Sequence, residues 1–258
     1  MSQRNEILLT ARAHADRGGG TTAPTEEDLL ALDRAAQDLL FREARTADTF
    51  ADEPVTDAQV AAIHDLIRHG PTAYNGQPLR VLLLRSAVSR ARLLPYLSSG
   101  NRAKTASAPL TAILAADVDF HQRLPELYPH RPQARNWLAD RAARVEQARF
   151  NATLQIGYLI VGVRAAGLAA GPMAGFDAGG VQREFFPDGR HEVLLLLNLG
   201  RPGPDAGRAR LPRLDNGDVI RTHEGVGRAT NGDVPEPAAP GVTSAGGVSA
   251  VPRRRASR

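Results

Sequence analysis

The chain has 258 residues, 42% of them hydrophobic, enough for one sizeable core with polar extensions, so a single folded domain is the default. It contains no cysteine, which excludes disulfides, thiolate nucleophiles and cysteine-ligated zinc or iron–sulfur centres. The net charge of +4 is scattered over amphipathic segments and concentrates only at Arg253, Arg254, Arg255 and Arg258, which argues against nucleic acid as a partner.

Residues 1–27 carry Gly18-Gly19-Gly20 and a Thr/Pro/Glu-rich stretch without a secretory apolar segment, so a flexible extension and a cytoplasmic location are expected. Leu29, Leu32, Ala36, Leu39 and Leu40 recur at helical spacing and predict a helix over about 28–45. Thr56 with Gln59 forms a capping box that opens a helix through Val60, Ile63 and Ile67, stopped by Gly70-Pro71. The runs RVLLLR (80–85) and LTAILAA (110–116) read as buried strands, with a helix over about 89–96 between them. Helices follow at about 132–145 and 146–167. The apolar run 154–170 is broken by Arg164 and three glycines, which marks a buried helix and not a membrane span. A last strand is expected over 192–199. Residues 224–258 are rich in Gly, Pro, Ala and Ser and form a second expected extension, leaving a folded domain at 28–223. Strands separated by helices without a regular βαβ period predict an α+β fold with a mainly antiparallel or mixed sheet. Neither a Gly-x-Gly-x-x-Gly after a strand nor a Walker sequence occurs, so a nicotinamide donor would bind only transiently.

Several distant segments offer groups suited to an anionic, planar ligand. Arg45-Thr46 combines a guanidinium with a hydroxyl, although surface arginines followed by threonine are common. The loop from Gly70 to Pro78, with Pro71, Thr72 and Asn75, offers backbone amides and an asparagine; a plain connector would look the same. Asn101 and Lys104, three apart, share a face if a helix begins near Asn101. Lys104 is the only lysine of the chain, and a fixed cation suits a flavin ring that gains negative charge on reduction. Pro172, Met173, Ala174 and Gly175 allow close approach of backbone to a flat ring, or form a flexible connector. Arg208 and Arg210 project to one side of an extended segment and would clamp a terminal phosphate, or belong to a solvated basic loop. The histidines lack metal-ligand spacing, so no metal is expected; His121 and His130, beside Phe120 and Tyr128, are candidates for a substrate pocket.

In this order the segments resemble the nitroreductase family over about residues 28–222. The resemblance implies a homodimer with FMN at the interface, Arg45, Thr46, Arg208 and Arg210 on the phosphate, and Asn101, Lys104 and Pro172–Gly175 on the ring. It also implies that Pro71, Thr72 and Asn75 reach a flavin across the dimer. NADPH or NADH would deliver hydride through flavin N5, with no catalytic side chain required and Lys104 tuning the ring. The strings LLFREART (39–46), GPTAYN (70–75), LSSGN (97–101), GPMAGFD (171–177) and RLPRL (210–214) are similar to the family's malonic semialdehyde reductase branch, which implies reduction of 3-oxopropanoate to 3-hydroxypropanoate. A broad nitroaromatic, quinone or enone reductase, a biosynthetic tailoring oxidoreductase, and a flavin-binding interaction protein with little turnover are the alternatives. Many family members carry further basic residues beside the first phosphate segment, where this chain has Ala44 and Asp48. Phosphate binding is therefore expected to lean on Arg45, Arg208 and Arg210.

Overall fold

Four strands, β1 (Leu79–Leu84), β2 (Leu110–Asp117), β3 (Ala169–Met173) and β4 (His191–Gly200), pair antiparallel in the order β1-β2-β4-β3. They come from a computed structural model that describes residues 29–204 and 209–223. All eight positions of β2 are buried, which explains its largely apolar sequence. Its side chains alternate between two cores. Leu110, Ala112 and Leu114 join Leu197 and Leu199 of β4 against Ile63, Ile156, Leu159 and Val163. Ile113, with Leu196 and Met173, packs on the other face against Leu93, Leu97 and Val181.

The helices covering these faces are α1 (Arg34–Gln37), α2 (Asp57–Ile67), α3 (Ala87–Leu93), α4 (Ser99–Ser107), α5 (Leu124–Leu127), α6 (Ala134–Trp137), α7 (Arg141–Ala165) and α8 (Ala178–Phe185). The capping box at Thr56 forms as expected, with both its backbone and side-chain bonds present. Three expectations need correction. The helix expected over 28–45 starts only at Arg34, because Asp33 caps it by accepting from the Ala36 amide, and it widens into a π-helical turn at Asp38–Arg42. The two helices expected over 132–167 are a single turn, α6, followed by one 25-residue helix, α7, whose start is set by Asp140 accepting from the Ala143 amide. The segment 169–173, expected as a loop, is a strand at the edge of the sheet, a position that tolerates Pro172. Asp177 caps α8, which the pair Gly179-Gly180 concealed in the sequence. Among the described residues no helix is long and apolar enough to cross a membrane.

The chain divides into Met1–Arg210, which contains all the elements above, and Leu211–Arg258. In the second unit residues 211–223 are exposed and hold one helical turn, α9 (Asn216–Val219). The extensions expected at 1–27 and 224–258, and Arg208, lie outside the described residues.

At the end of β2 the fully buried Asp117 is clasped by Arg80 of β1 and by Arg190, which immediately precedes β4. Arg190 donates from Nε and Nη2 to its two oxygens at 2.8 Å, and Arg80 donates to Oδ2 at 2.7 Å. Burial alone would raise the Asp117 pKa, but the Arg190 hydrogen bonds, the Arg80 charge and the Asp119 amide outweigh it and hold the carboxyl below the usual range. Breaking a buried pair costs about 3–5 kcal/mol, and the half-solvated guanidiniums moderate that here, so Asp117→Asn is expected to cost about 2–3 kcal/mol in urea denaturation. Because the folded-state pKa is lowered, this stabilisation is present above the ordinary carboxylate pKa and is lost as pH falls through the lowered value. The variant's stability should accordingly fall less steeply in acid than that of the wild type.

Candidate functional site

The π-helical turn ends with carbonyl groups that have no helical partners, and three arginines take them up, the nearby Arg45 and the distant Arg164 and Arg210. Arg164, in the last turn of α7, donates to the Leu40 carbonyl at 3.1 Å. Arg210 donates to the Phe41 carbonyl at 3.3 Å and to that of Arg42. Arg45 donates to the carbonyls of Arg42 (3.1 Å) and Ala44 (3.2 Å), and pairs with Glu43 at 3.3 Å. Arg164 and Arg210 have no carboxylate partner among the described residues, and the Arg164 Nε is buried without a hydrogen bond. Burial, and then the adjacent Arg210 charge, lower the Arg164 pKa. Arg45 and Arg164 line a cavity of about 390 Å³ together with Glu43, Ala47, Gly167 and Leu168. Two carboxylates, Asp38 and Glu43, also line this cavity, but they pair with Arg34 and Arg45, so the unpartnered Arg164 Nε is a donor suited to an anion with several oxygens.

The chain leaves this cluster through Thr46 and Ala47, which lie along the edge of β3. Thr46 forms a parallel bridge with Ala170, and the Ala47 amide donates to the Ala170 carbonyl at 3.3 Å. Asp48 follows, and its Oδ1 lies 3.3 Å from the Lys104 Nζ. Asn101 and Lys104 share one side of α4, as their spacing required. They line a cavity of about 770 Å³ with Asp48, Thr49, Gly100 and Ser107. Beyond β3, the Gly175 carbonyl accepts from the Ser98 amide and from Asn101 Nδ2, both at 3.0 Å. A Cβ on Gly175 would stand 2.9 Å from Ser98 Oγ and 3.0 Å from Asn101 Nδ2, so glycine is what permits this approach. Pro172 is half-buried and Ala174 and Gly175 are exposed, whereas the Met173 side chain is committed to the core, its sulfur accepting from Thr105 Oγ1 at 3.6 Å.

The loop from Pro71 to Pro78 forms a third group. Tyr74, Asn75 and Gln77 have φ of 55°, 51° and 46°, unfavourable for non-glycine residues and sustained only by surrounding bonds. Asn151 and Gln155 of α7 supply two of them, accepting from the amides of Ala73 (2.7 Å) and Leu79 (2.9 Å). Thr72 Oγ1 accepts from the Gln77 amide, and Asn75 Nδ2 donates to the Leu127 carbonyl at 2.9 Å. Pro71 is exposed beside them. Tyr74 meets Tyr128 and Trp137 edge-on with centroids 5.9 and 5.8 Å apart, and His130 lies against Tyr128 at 4.0 Å. His121 is not in this ring cluster. Its Nδ1 is buried without a partner, and burial, followed by the Arg144 charge, lowers its pKa.

The structure thus joins Arg45 with Arg210 and, separately, Asn101 and Lys104 with Gly175. It adds residues that the sequence pattern did not single out. Arg164 read only as an interruption of an apolar run; Asn151 and Gln155, amides four apart on an apolar helix, were its companion signal.

The nitroreductase family model matches residues 41–201, and the chain belongs to that family. A Streptomyces griseus protein with the provisional name NADH dehydrogenase/NAD(P)H nitroreductase is 59% identical over 194 residues, 75% of this chain and 98% of that protein. The fold is shared with a provisionally named Bacillus subtilis nitroreductase at 21% identity and a TM-score of 0.67, covering 73% of this chain and 99% of the other. It is shared also with a provisionally named Exiguobacterium sibiricum nitroreductase solved in complex with FMN, at 17% identity and a TM-score of 0.63, covering 79% and 100%.

The arginine cluster makes a testable demand. Inorganic pyrophosphate in large excess over its dissociation constant is expected to raise Tm by about 4–8 °C by preferential binding to the folded chain, as followed by differential scanning fluorimetry. Arg45→Gln and Arg210→Gln should each reduce that rise.

Proposed function

We propose that the chain is an FMN-dependent NAD(P)H oxidoreductase of the cytoplasm that reduces 3-oxopropanoate to 3-hydroxypropanoate. The substrate rests on the resemblance of the sequence strings given above, and the observation that carries the cofactor is the position of two complementary cavities along one short segment. Arg45 joins the arginine cluster at one end, and Asp48 enters the cavity of Asn101 and Lys104 at the other. That spacing suits a ligand with a phosphate at one end and a hydrogen-bonding ring at the other. The donor set fits FMN. Arg45, Thr46 and Arg210, with Arg208 and the buried, unpartnered Nε of Arg164, would hold the phosphate. Asn101 and Lys104 would meet the ring edge, and the backbone of Pro172–Gly175 the ring itself, where Gly175 leaves no Cβ in the way.

FMN when bound supplies two-electron chemistry at its N5 atom. The chain's own residues bind, orient and balance charge. Lys104 would face the charge gained on reduction, and Asn101, anchored through Nδ2 on the Gly175 carbonyl, would keep its own carbonyl directed by that bond. No covalent nucleophile is required of the protein, and water can supply the proton that completes the alcohol.

A homodimer with the site at its interface is part of the same proposal. Phe150, Leu154 and Tyr158 of α7 are spaced four apart on one face and are 65%, 44% and 42% exposed, an apolar stripe suited to a second copy. The strained loop with Pro71, Thr72 and Asn75 would then complete the site of the other subunit. A second reading rests on the cluster of Tyr74, Tyr128 and Trp137, whose rings would favour planar nitroaromatic or quinone acceptors.

The test is an anaerobic absorbance titration with FMN, then NADPH or NADH, then 3-oxopropanoate beside a nitroaromatic and a quinone. A flavin spectrum that bleaches with nicotinamide and returns with 3-oxopropanoate is expected. Return only with the aromatic acceptors would move the substrate to the second reading. Flavin that nicotinamide cannot bleach would leave a flavin-binding interaction protein.

A further inference from the structure

The only lysine of the chain does not stand alone. Lys104 Nζ lies 3.3 Å from Asp48 Oδ1, and the two side chains are only 23% and 28% exposed, so the pair is partly shielded from solvent screening. Both partners are held by the fold. Lys104 projects from α4 beside Asn101, while Asp48 follows a segment fastened to the β3 edge through the Thr46–Ala170 bridge and the Ala47 amide. Both line the cavity to which the cofactor ring was assigned above.

We propose that Asp48 is a redox-tuning residue, a carboxylate that offsets the Lys104 charge and lowers the reduction potential of the bound cofactor. The inference rests on the FMN reading of the site and concerns a position where the family's pattern would place a basic residue. Hydride transfer from NAD(P)H, which leaves as NAD(P)⁺, adds two electrons and one proton to the ring system and so one negative charge. A lone ammonium at the ring edge stabilises that charge strongly. An ammonium paired with a carboxylate presents a dipole whose field falls away faster, and stabilises it less. The reduced cofactor is then a stronger hydride donor. This suits an aldehyde, a weaker oxidant than a quinone or nitroarene. The aldehyde takes the hydride at its carbonyl carbon and a proton from water at its oxygen, becoming the alcohol while the ring returns to its oxidised form. Asp48 thereby brings a weakly oxidising carbonyl substrate within reach of the reduced ring, while easily reduced acceptors remain reactive.

The measurement is the reduction potential of the full-length FMN-loaded protein, titrated spectroscopically against reference dyes, for the wild type, Asp48→Asn, Asp48→Ser and Asp48→Glu. Removing the carboxylate is expected to strengthen binding of reduced relative to oxidised cofactor about tenfold, an upward shift of about 30 mV for a two-electron couple. Asp48→Glu, which keeps the charge, should stay with the wild type. Asp48→Ser serves as the neutral variant where the amide disturbs cofactor retention. A potential that stays at the wild-type value or falls in FMN-loaded neutral variants overturns the inference while leaving the FMN site intact. A wild-type protein that takes up no FMN overturns the functional reading itself.

Discussion

The docking of α7 on the sheet is the interaction on which the other parts depend. Its buried residues Ile156, Leu159 and Val163 cover the same sheet face that Ile63 of α2 covers from the side. The approach of α2 is set at Gly162, where a Cβ would run into the Ile67 side chain; a larger residue would push the helices apart and open the core. With this helix fixed, its polar residues become fixed donors and acceptors. Asn151 and Gln155 hold the strained loop, and Arg164 reaches the end of the π-helical turn.

The candidate site is assembled at the sheet's β3 edge. That strand is short and contains glycine and proline; Ala170, Gly171 and Met173 are buried, and its small residues let two other segments approach closely. The chain at Thr46–Ala47 bonds along it, and Ser98 and Asn101 bond to its continuation at Gly175. A cation cluster and a hydrogen-bonding pocket thereby come to lie along one segment, although their residues are spread along the sequence from Arg45 to Arg210. The arginine cluster also has a structural role, since its guanidiniums satisfy the carbonyls of Leu40, Phe41 and Arg42. The two roles are compatible: an anion would take donors now directed at neutral carbonyls, a stronger charge-assisted exchange.

On the proposed reading, Asp48 would change the chemistry of a shared scaffold without changing its fold. The site's geometry comes from α4 and the β3 edge, whereas the Lys104–Asp48 ion pair contributes to the electrostatic field within it. Family membership defines the first and leaves the second to the individual chain.

Local signals in the sequence determined much of this protein. The Thr56 capping box, the apolar runs of β1, β2 and β4, and the shared face of Asn101 and Lys104 all depend on neighbours within a few residues, and such interactions are written in spacing. Tertiary contacts alone decided the rest. β3 is a strand because β4 pairs with it, not because Ala169–Met173 favours one. The first helix is short because Asp33 caps it late and the turn after Gln37 widens into π geometry. Arg164 became a site residue, and Lys104 acquired a carboxylate partner, because the sheet brings together positions 124 and 56 residues apart. Periodicity records which face of an element is buried, but not which distant charge waits opposite it.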